Sequence, residues 1–125
     1  MALLSPTATD FVRSRLRSIL QLDVALLLQA DVTVWWSADR VAAELRVGSD
    51  AVGHALEELA SSNLLDVRIG NDLTYRFAPW HESAARLMAE IAANHYEARE
   101  IVVRSAAGTA ARRFADAFRI RKSDG

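Results

Sequence analysis

The 125-residue chain has no cysteine, only two prolines and five glycines, and just 7% aromatic side chains. The absence of cysteine excludes a disulfide scaffold, a thiolate zinc site, an iron–sulfur cluster and a cysteine nucleophile. So few glycines, scattered along the chain, form no phosphate-cradling loop, and there is no nucleophile elbow. Glu57 and Glu58 are neighbours that would point about 100° apart on a helix, so they make no convergent acid/base pair. These absences predict a protein that is not an enzyme. The longest apolar run, Val24 to Leu28, falls far short of the roughly 20 residues that span a bilayer. The opening Met1-Ala2-Leu3-Leu4-Ser5-Pro6 lacks the charged start and longer apolar core of a signal peptide. No Gly/Ser-rich linker and no internal repeat divides the chain. The expectation is one soluble, cytoplasmic domain over residues 1–125, with no membrane partner.

What is present is a balanced, apolar-rich composition: 51% hydrophobic, with 15 basic and 16 acidic side chains and a net charge of −1. That excludes a disordered polyelectrolyte and leaves enough apolar surface for a single core. From Thr7 to Ala30 the apolar residues Phe11, Val12, Leu16, Ile19 and Leu20 recur at helical spacing. Ser18 is placed to cap a second helix starting at Ile19. Leu22 to Leu28 is apolar on nearly every side, which suits a central core helix. Ser37, Asp39, Val41, Ala42 and Leu45 spell a short capped helix ending at Val47-Gly48, where glycine is expected to take the left-handed stop. Ser49 is expected to cap the next helix, with Val52, Leu56 and Leu59 inward and Asn63 as a left-handed end.

The period then switches to two. Leu65, Val67 and Ile69 alternate with Asp66 and Arg68; Leu73, Tyr75 and Phe77 alternate with Thr74 and Arg76. Gly70-Asn71-Asp72 is hairpin-loop chemistry. The spacing predicts the pairs Ile69–Leu73, Val67–Tyr75, Leu65–Phe77 and Asp66–Arg76, giving the hairpin one wholly apolar face packed on helices. After Ala78-Pro79-Trp80 a long helix is predicted over His81 to Val103. Its seam is Leu87, Ile91, Asn94, Ala98 and Ile101, at heptad spacing. A final helical stretch, Thr109 to Ile120, carries Phe114 and Phe118 four residues apart among several arginines.

The predicted class is therefore mainly α with a small β-hairpin (α+β). The order helix, short helix, glycine-containing turn, helix, hairpin resembles a winged helix-turn-helix domain. Within WSADRVAAELRVGSDAVGHALEELASSNLLDVRIGNDLTYRFAP, "DRVAAEL" resembles the second helix of that superfamily, "SDAVGHALEELASSNLL" its recognition helix, and "YRFAP" its returning strand. The resemblance implies a winged-helix core over residues 19–80, flanked by helices at 1–18 and 81–125 like those through which small bacterial regulators dimerise. The ending Phe114 to Lys122 also resembles the C-terminus of a group of small bacterial proteins with no assigned activity.

By that resemblance, Ser49, Asp50, Gly53, His54, Glu57 and Ser61 would face the major groove of double-stranded DNA, and Arg68, Asn71, Asp72 and Arg76 would supply the wing contacts. The protein would be a transcriptional regulator acting as a homodimer, with Leu87, Ile91, Asn94, Ala98 and Ile101 at the dimer interface. The same seam could instead pack on the protein's own first helix.

Charge favours a different employment. Between Thr33 and Trp80 there are four cations (Arg40, Arg46, Arg68, Arg76) against seven anions (Asp39, Glu44, Asp50, Glu57, Glu58, Asp66, Asp72), a net −3. An acidic reading face repels phosphates, which supply most nucleic-acid affinity. From Arg104 onward six cations face two anions, and Arg13 and Arg17 are spaced one helical turn apart. The alternative expectation is a winged helix repurposed as a protein–protein interaction module, docking a protein partner of complementary charge through its acidic face or basic tail. Trp35 and Trp36, being adjacent, are expected to point to opposite sides, one into the core. His54, His81 and His95 are far apart in sequence and form no metal-ligating pair, so no metal and no other cofactor is expected.

Overall fold

The structure, a computed structural model, describes residues 4–105. Its elements are α1 (Pro6–Arg15), α2 (Ile19–Ala30), β1 (Trp36–Ser37), α3 (Ala38–Leu45), α4 (Ser49–Ser61), β2 (Leu65–Ile69), β3 (Leu73–Phe77) and α5 (Glu82–Ala93). A sixth helical stretch, α6, covers the described residues 95–105. The predicted stretch Thr109 to Ile120 lies outside the described residues.

The first helical segment is two helices. Ser5 accepts a hydrogen bond from the Ala8 amide, with Pro6 at the first helical position, where no amide donor is needed. Ser18 caps α2 by accepting from the Gln21 amide. Arg17 consequently sits in the corner between α1 and α2, not one turn from Arg13 on a continuous helix. Leu22, Val24, Ala25 and Leu28 of α2 are buried at the centre of one core. Val12, Val41, Val52, Leu56, Leu59, Met88 and Ile91 close around them.

Ser37 caps α3 through the Arg40 amide. The left-handed residue after α3 is Arg46 (φ 57°, ψ 48°), not Gly48, and the Arg46 and Val47 amides both donate to the Ala42 carbonyl. Gly48 is extended (φ −68°, ψ 140°) and is itself the N-cap of α4, so Ser49 is the first helical residue and caps nothing. The helix ends by closing its backbone directly after Leu45, two residues earlier than the glycine suggests. Asn63 does take the left-handed stop after α4 (φ 63°).

All four predicted cross-strand pairs of the hairpin occur. A third strand joins it: β1 pairs antiparallel with β3, Trp36 opposite Tyr75 and Ser37 opposite Thr74, giving the order β1-β3-β2. The Ala78 and Trp80 amides bond the Leu64 and Asn63 carbonyls, fastening the base of the hairpin to the end of α4. Only that base packs as predicted. Leu65, Tyr75 and Phe77 are buried, whereas Val67 and Leu73 are about half exposed and Ile69 is 84% exposed. The two strands outreach the helices beneath them, so the outer half of the apolar face meets solvent.

The predicted single long helix is broken at Asn94 (φ −130°, ψ 42°). The Asn94 side chain donates to the Glu90 carbonyl, the position the next turn's amide would occupy, and its own carbonyl accepts from the Ala98 amide. The predicted seam faces inward. Ile91, Ala98 and Ile101 are buried within the single chain, Leu87 and Asn94 are partly buried, and α5 packs against α1 and α2. Ile91, Ala98 and Ile101 are therefore core residues of one protomer and are unavailable to a second copy. Heptad spacing identifies a buried seam without saying whose helix covers it.

Candidate nucleic-acid interface

The outer side of α4 is set by its inner side. Val52, Ala55, Leu56 and Leu59 are buried against α2 and α3. Helical periodicity then turns Ser49, Asp50, His54, Glu57 and Ser61 outward, all exposed, with Gly53 half-buried between them. This is the set expected from the sequence, and the structure brings it onto one face. His54 Nδ1 lies 4.0 Å from Glu57. Arg46, exposed at the α3–α4 turn, is the cation nearest in sequence to the start of α4.

Glu58, on the flank of α4, is tied to the corner before α2. Its carboxylate accepts from the Gln21 side-chain nitrogen Nε2 and lies 3.9 Å from Arg17. The Gln21 side-chain oxygen in turn accepts from the Arg17 backbone amide, and Arg15 donates to the Ser62 carbonyl (2.7 Å). The pitch of α4 is thus fixed at its C-terminal half by polar contacts as well as by the core.

The wing residues divide. Asn71 and Asp72 are exposed at the tip. Arg68 and Arg76 lie together on the strands, each guanidinium carbon 4.5 Å from the centre of the Trp35 ring. Arg76 also pairs with Asp66 at 3.2 Å. Trp36, by contrast, is buried, with Arg40 over its ring at 4.6 Å. Adjacent tryptophans do point to opposite sides of the sheet, and Trp35 organises the wing's arginines, a role that its sequence alone did not disclose. Its signal was the two-residue strand β1, too short to read by alternation.

The two sheet faces differ in character. Arg68 and Arg76 alternate with Val67 and Tyr75 and so point away from them. Tyr75 is on the α4 side. Burial raises its phenol pKa above 10.0, and the negative charge of Glu57 raises it further. The side of the wing that faces α4 is therefore the apolar one, and the arginines with Trp35 occupy the other. The structure does not bring the wing's cations and the exposed face of α4 onto one continuous surface.

Two helices crossing at a tight turn, the second with one side exposed, followed by a three-stranded sheet whose hairpin projects beside it, define the architecture. The fold is a winged helix-turn-helix. No protein-family model matches the chain, and no curated protein matches it in sequence. Among solved structures, this winged helix is similar to reduced HlyU from Vibrio cholerae N16961. That match has 14% identity and a TM-score of 0.52, covering 68% of this chain and 86% of that one. It is similar also to a double mutant of Lactococcus lactis ZitR in apo form (15% identity, TM-score 0.52, 94% of this chain and 89% of that one). A single-site ZitR mutant matches with 16% identity and a TM-score of 0.50, over 82% of this winged helix and 73% of that chain. Among the described residues no group of three His, Asp or Glu side chains is gathered to hold a metal ion. No described helix is long and apolar enough to cross a membrane.

Proposed function

We propose that this winged helix is a transcriptional regulator that binds double-stranded DNA as a homodimer, acting by binding and not by catalysis. The observation that carries the reading is the exposed polar side of α4. Helix-turn-helix proteins lay this second helix in the major groove, and the fold-level likeness to HlyU and ZitR supports the same use here. In this reading Ser49, Asp50, His54 and Ser61 meet base edges, while Asn71 at the tip and Arg68 and Arg76 on the outer sheet face meet the backbone on either side. Because Ile91, Ala98 and Ile101 are inward, a dimer on the flanking helices must use their outer side. Tyr96 is 77% exposed there, and Val103, seven residues on, shares its helix face.

A specific observation favours a second reading. The α4 face carries Asp50 and Glu57 and no cation, and Arg76 is shared between Trp35 and Asp66, so a basic protein segment is a competing partner for it.

Titrating the full chain into labelled genomic fragments at several salt concentrations separates the two. A regulator loses affinity log-linearly with salt, with a slope of about −0.9 per phosphate neutralised. Arg68→Ala is then expected to weaken binding to all sequences, and His54→Ala to change sequence preference. Weak binding at low salt with no such slope overturns the DNA reading and leaves protein docking.

A further inference from the structure

Beyond that reading, the apolar side of the wing has a chemistry unsuited to phosphate. Val67, Ile69 and Leu73 form one exposed stripe, continuous with buried Tyr75 and facing the side of α4 that carries Glu57. Ile69 and Leu73 are cross-strand partners, so their side chains stand together at the outer end. An apolar stripe beside the Glu57 carboxylate calls for a segment with the reverse pattern, apolar side chains bordered by cations.

The chain contains such a segment. Residues 109–122 hold Phe114, Phe118 and Ile120 with Arg112, Arg113, Arg119, Arg121 and Lys122, five cations against the single carboxylate of Asp116. The exposed face of α4 carries Asp50 and Glu57 and no cation, so the two are complementary in charge as well as in apolarity. The linker is long on the scale of the domain. The eight residues between Ser105 and Phe114 span up to about 28 Å when extended. A domain of this size has a radius of gyration of about 13 Å.

We propose that the α4-facing side of the wing is a docking surface for the chain's own segment 109–122, Phe114 and Phe118 covering Ile69 and Leu73 while the arginines face the carboxylates of α4. In that state the segment occupies the place beside α4 that any other ligand of this face must take.

Because the chain lacks cysteine, labels can be placed by substitution alone. The full-length Asn71→Cys, Ser123→Cys protein, carrying a donor and an acceptor fluorophore, reports the separation of wing tip and tail without DNA. High energy transfer is expected. It should fall at least twofold when Phe114→Asp and Phe118→Asp are added, and equally when Ile69→Asp and Leu73→Asp are added instead. Both wing positions are exposed, and far-UV circular dichroism checks that the fold persists. Mixing singly labelled molecules tells whether the segment docks on its own protomer or on a second copy; either result supports the assignment. Transfer that is low from the start, or unchanged in both double variants, overturns it. No DNA is present, so failure here is distinct from failure of the regulator reading.

Discussion

Tyr75 joins three parts of the molecule: it is paired with Trp36 and Val67 in the sheet, buried, and within the field of Glu57 on α4. Burial and the nearby carboxylate both disfavour the phenolate, so the folded-state pKa lies above the ordinary 10.0. The sign follows from linkage. The unfolded chain releases this proton first, so the contribution of Tyr75 to stability is complete below pH 10 and is lost as pH climbs through the raised folded value. Urea midpoints measured at rising alkaline pH should therefore fall more steeply for the native protein than for Tyr75→Phe, which has no proton to lose. Parallel curves would show that the tyrosine is not buried in this way. Trp35 is a second residue whose importance is local. Its ring gathers Arg68 and Arg76, and a cation–π contact at an exposed site contributes about 0.5–1 kcal/mol. Trp35→Ala is expected to cost roughly 1–2 kcal/mol through the two contacts, read as a lowered urea midpoint with unchanged m-value. It should also free the Arg68 guanidinium and leave Arg76 paired with Asp66 alone, which under the DNA reading strengthens nonspecific binding at low salt.

At the level of elements, α4 is under-stabilised for its place. Its N-cap is Gly48, which offers no side chain to the first amides, and Gly53 interrupts its middle. Neither glycine needs its freedom. Both backbones are ordinary, and a Cβ at either meets nothing within 4 Å. Gly53→Ala is expected to stabilise by about 0.8–1 kcal/mol, and Gly48→Ser by a few tenths from the cap plus about 0.4–1 from reduced unfolded-state freedom. Calorimetry on the two variants should show melting temperatures raised by several degrees. The gain marks a helix whose sequence is tuned to something other than stability. Bare backbone at position 53 lets α4 come close to whatever lies against it, so Gly53→Ala should also weaken that contact.

The same scale shows what the sequence disclosed. The hairpin register was legible because period two, two strands of equal length and a Gly-Asn-Asp loop leave one alignment that keeps Leu65, Tyr75 and Phe77 together. Caps at Ser18 and Ser37 were legible because they are local chemistry. The strand β1 was not, since two residues become a strand only through β3, nearly forty positions away. Nor was the left-handed Arg46, because its neighbour Gly48 is the cheaper candidate on propensity and the choice is made by how α3 and α4 meet. The candidate site divides the same way. The exposed residues of α4 follow from helical period, while the separation of Arg68 and Arg76 from that face depends on which side of the sheet α4 lies.

For the whole molecule, the question is what the flanking helices do. The inward seam of α5 and α6 shows that they complete the core. Leu4 and Ser5 amides bond Glu97 and Glu90, Ser5 Oγ donates to Glu90 at 3.1 Å, and Arg99 pairs with Asp23 of α2. The first helix, the central helix and the last described helix therefore share one core with the winged helix. A charge placed at position 91 lands in that core. Ile91 is fully buried in the hydrophobic cluster, where a carboxylate is stripped of water. Ile91→Asp is expected to cost on the order of 4–5 kcal/mol, the range where substitutions become diagnostic and enough to unfold many domains of this size. Its circular dichroism should show loss of helix, rather than a folded monomer. Tyr96→Asp tests the surface instead. The side chain is exposed in the single chain, so the fold should survive with a change within about 0.5 kcal/mol. If a second copy covers Tyr96 and Val103, sedimentation velocity should show the native protein as a dimer and Tyr96→Asp shifted to the monomer. A native chain that already sediments as a monomer would remove the dimer, and with it the paired half-site geometry that a symmetric regulator needs to read DNA. Two substitutions five residues apart thus separate what the helices contribute to folding from what they contribute to assembly.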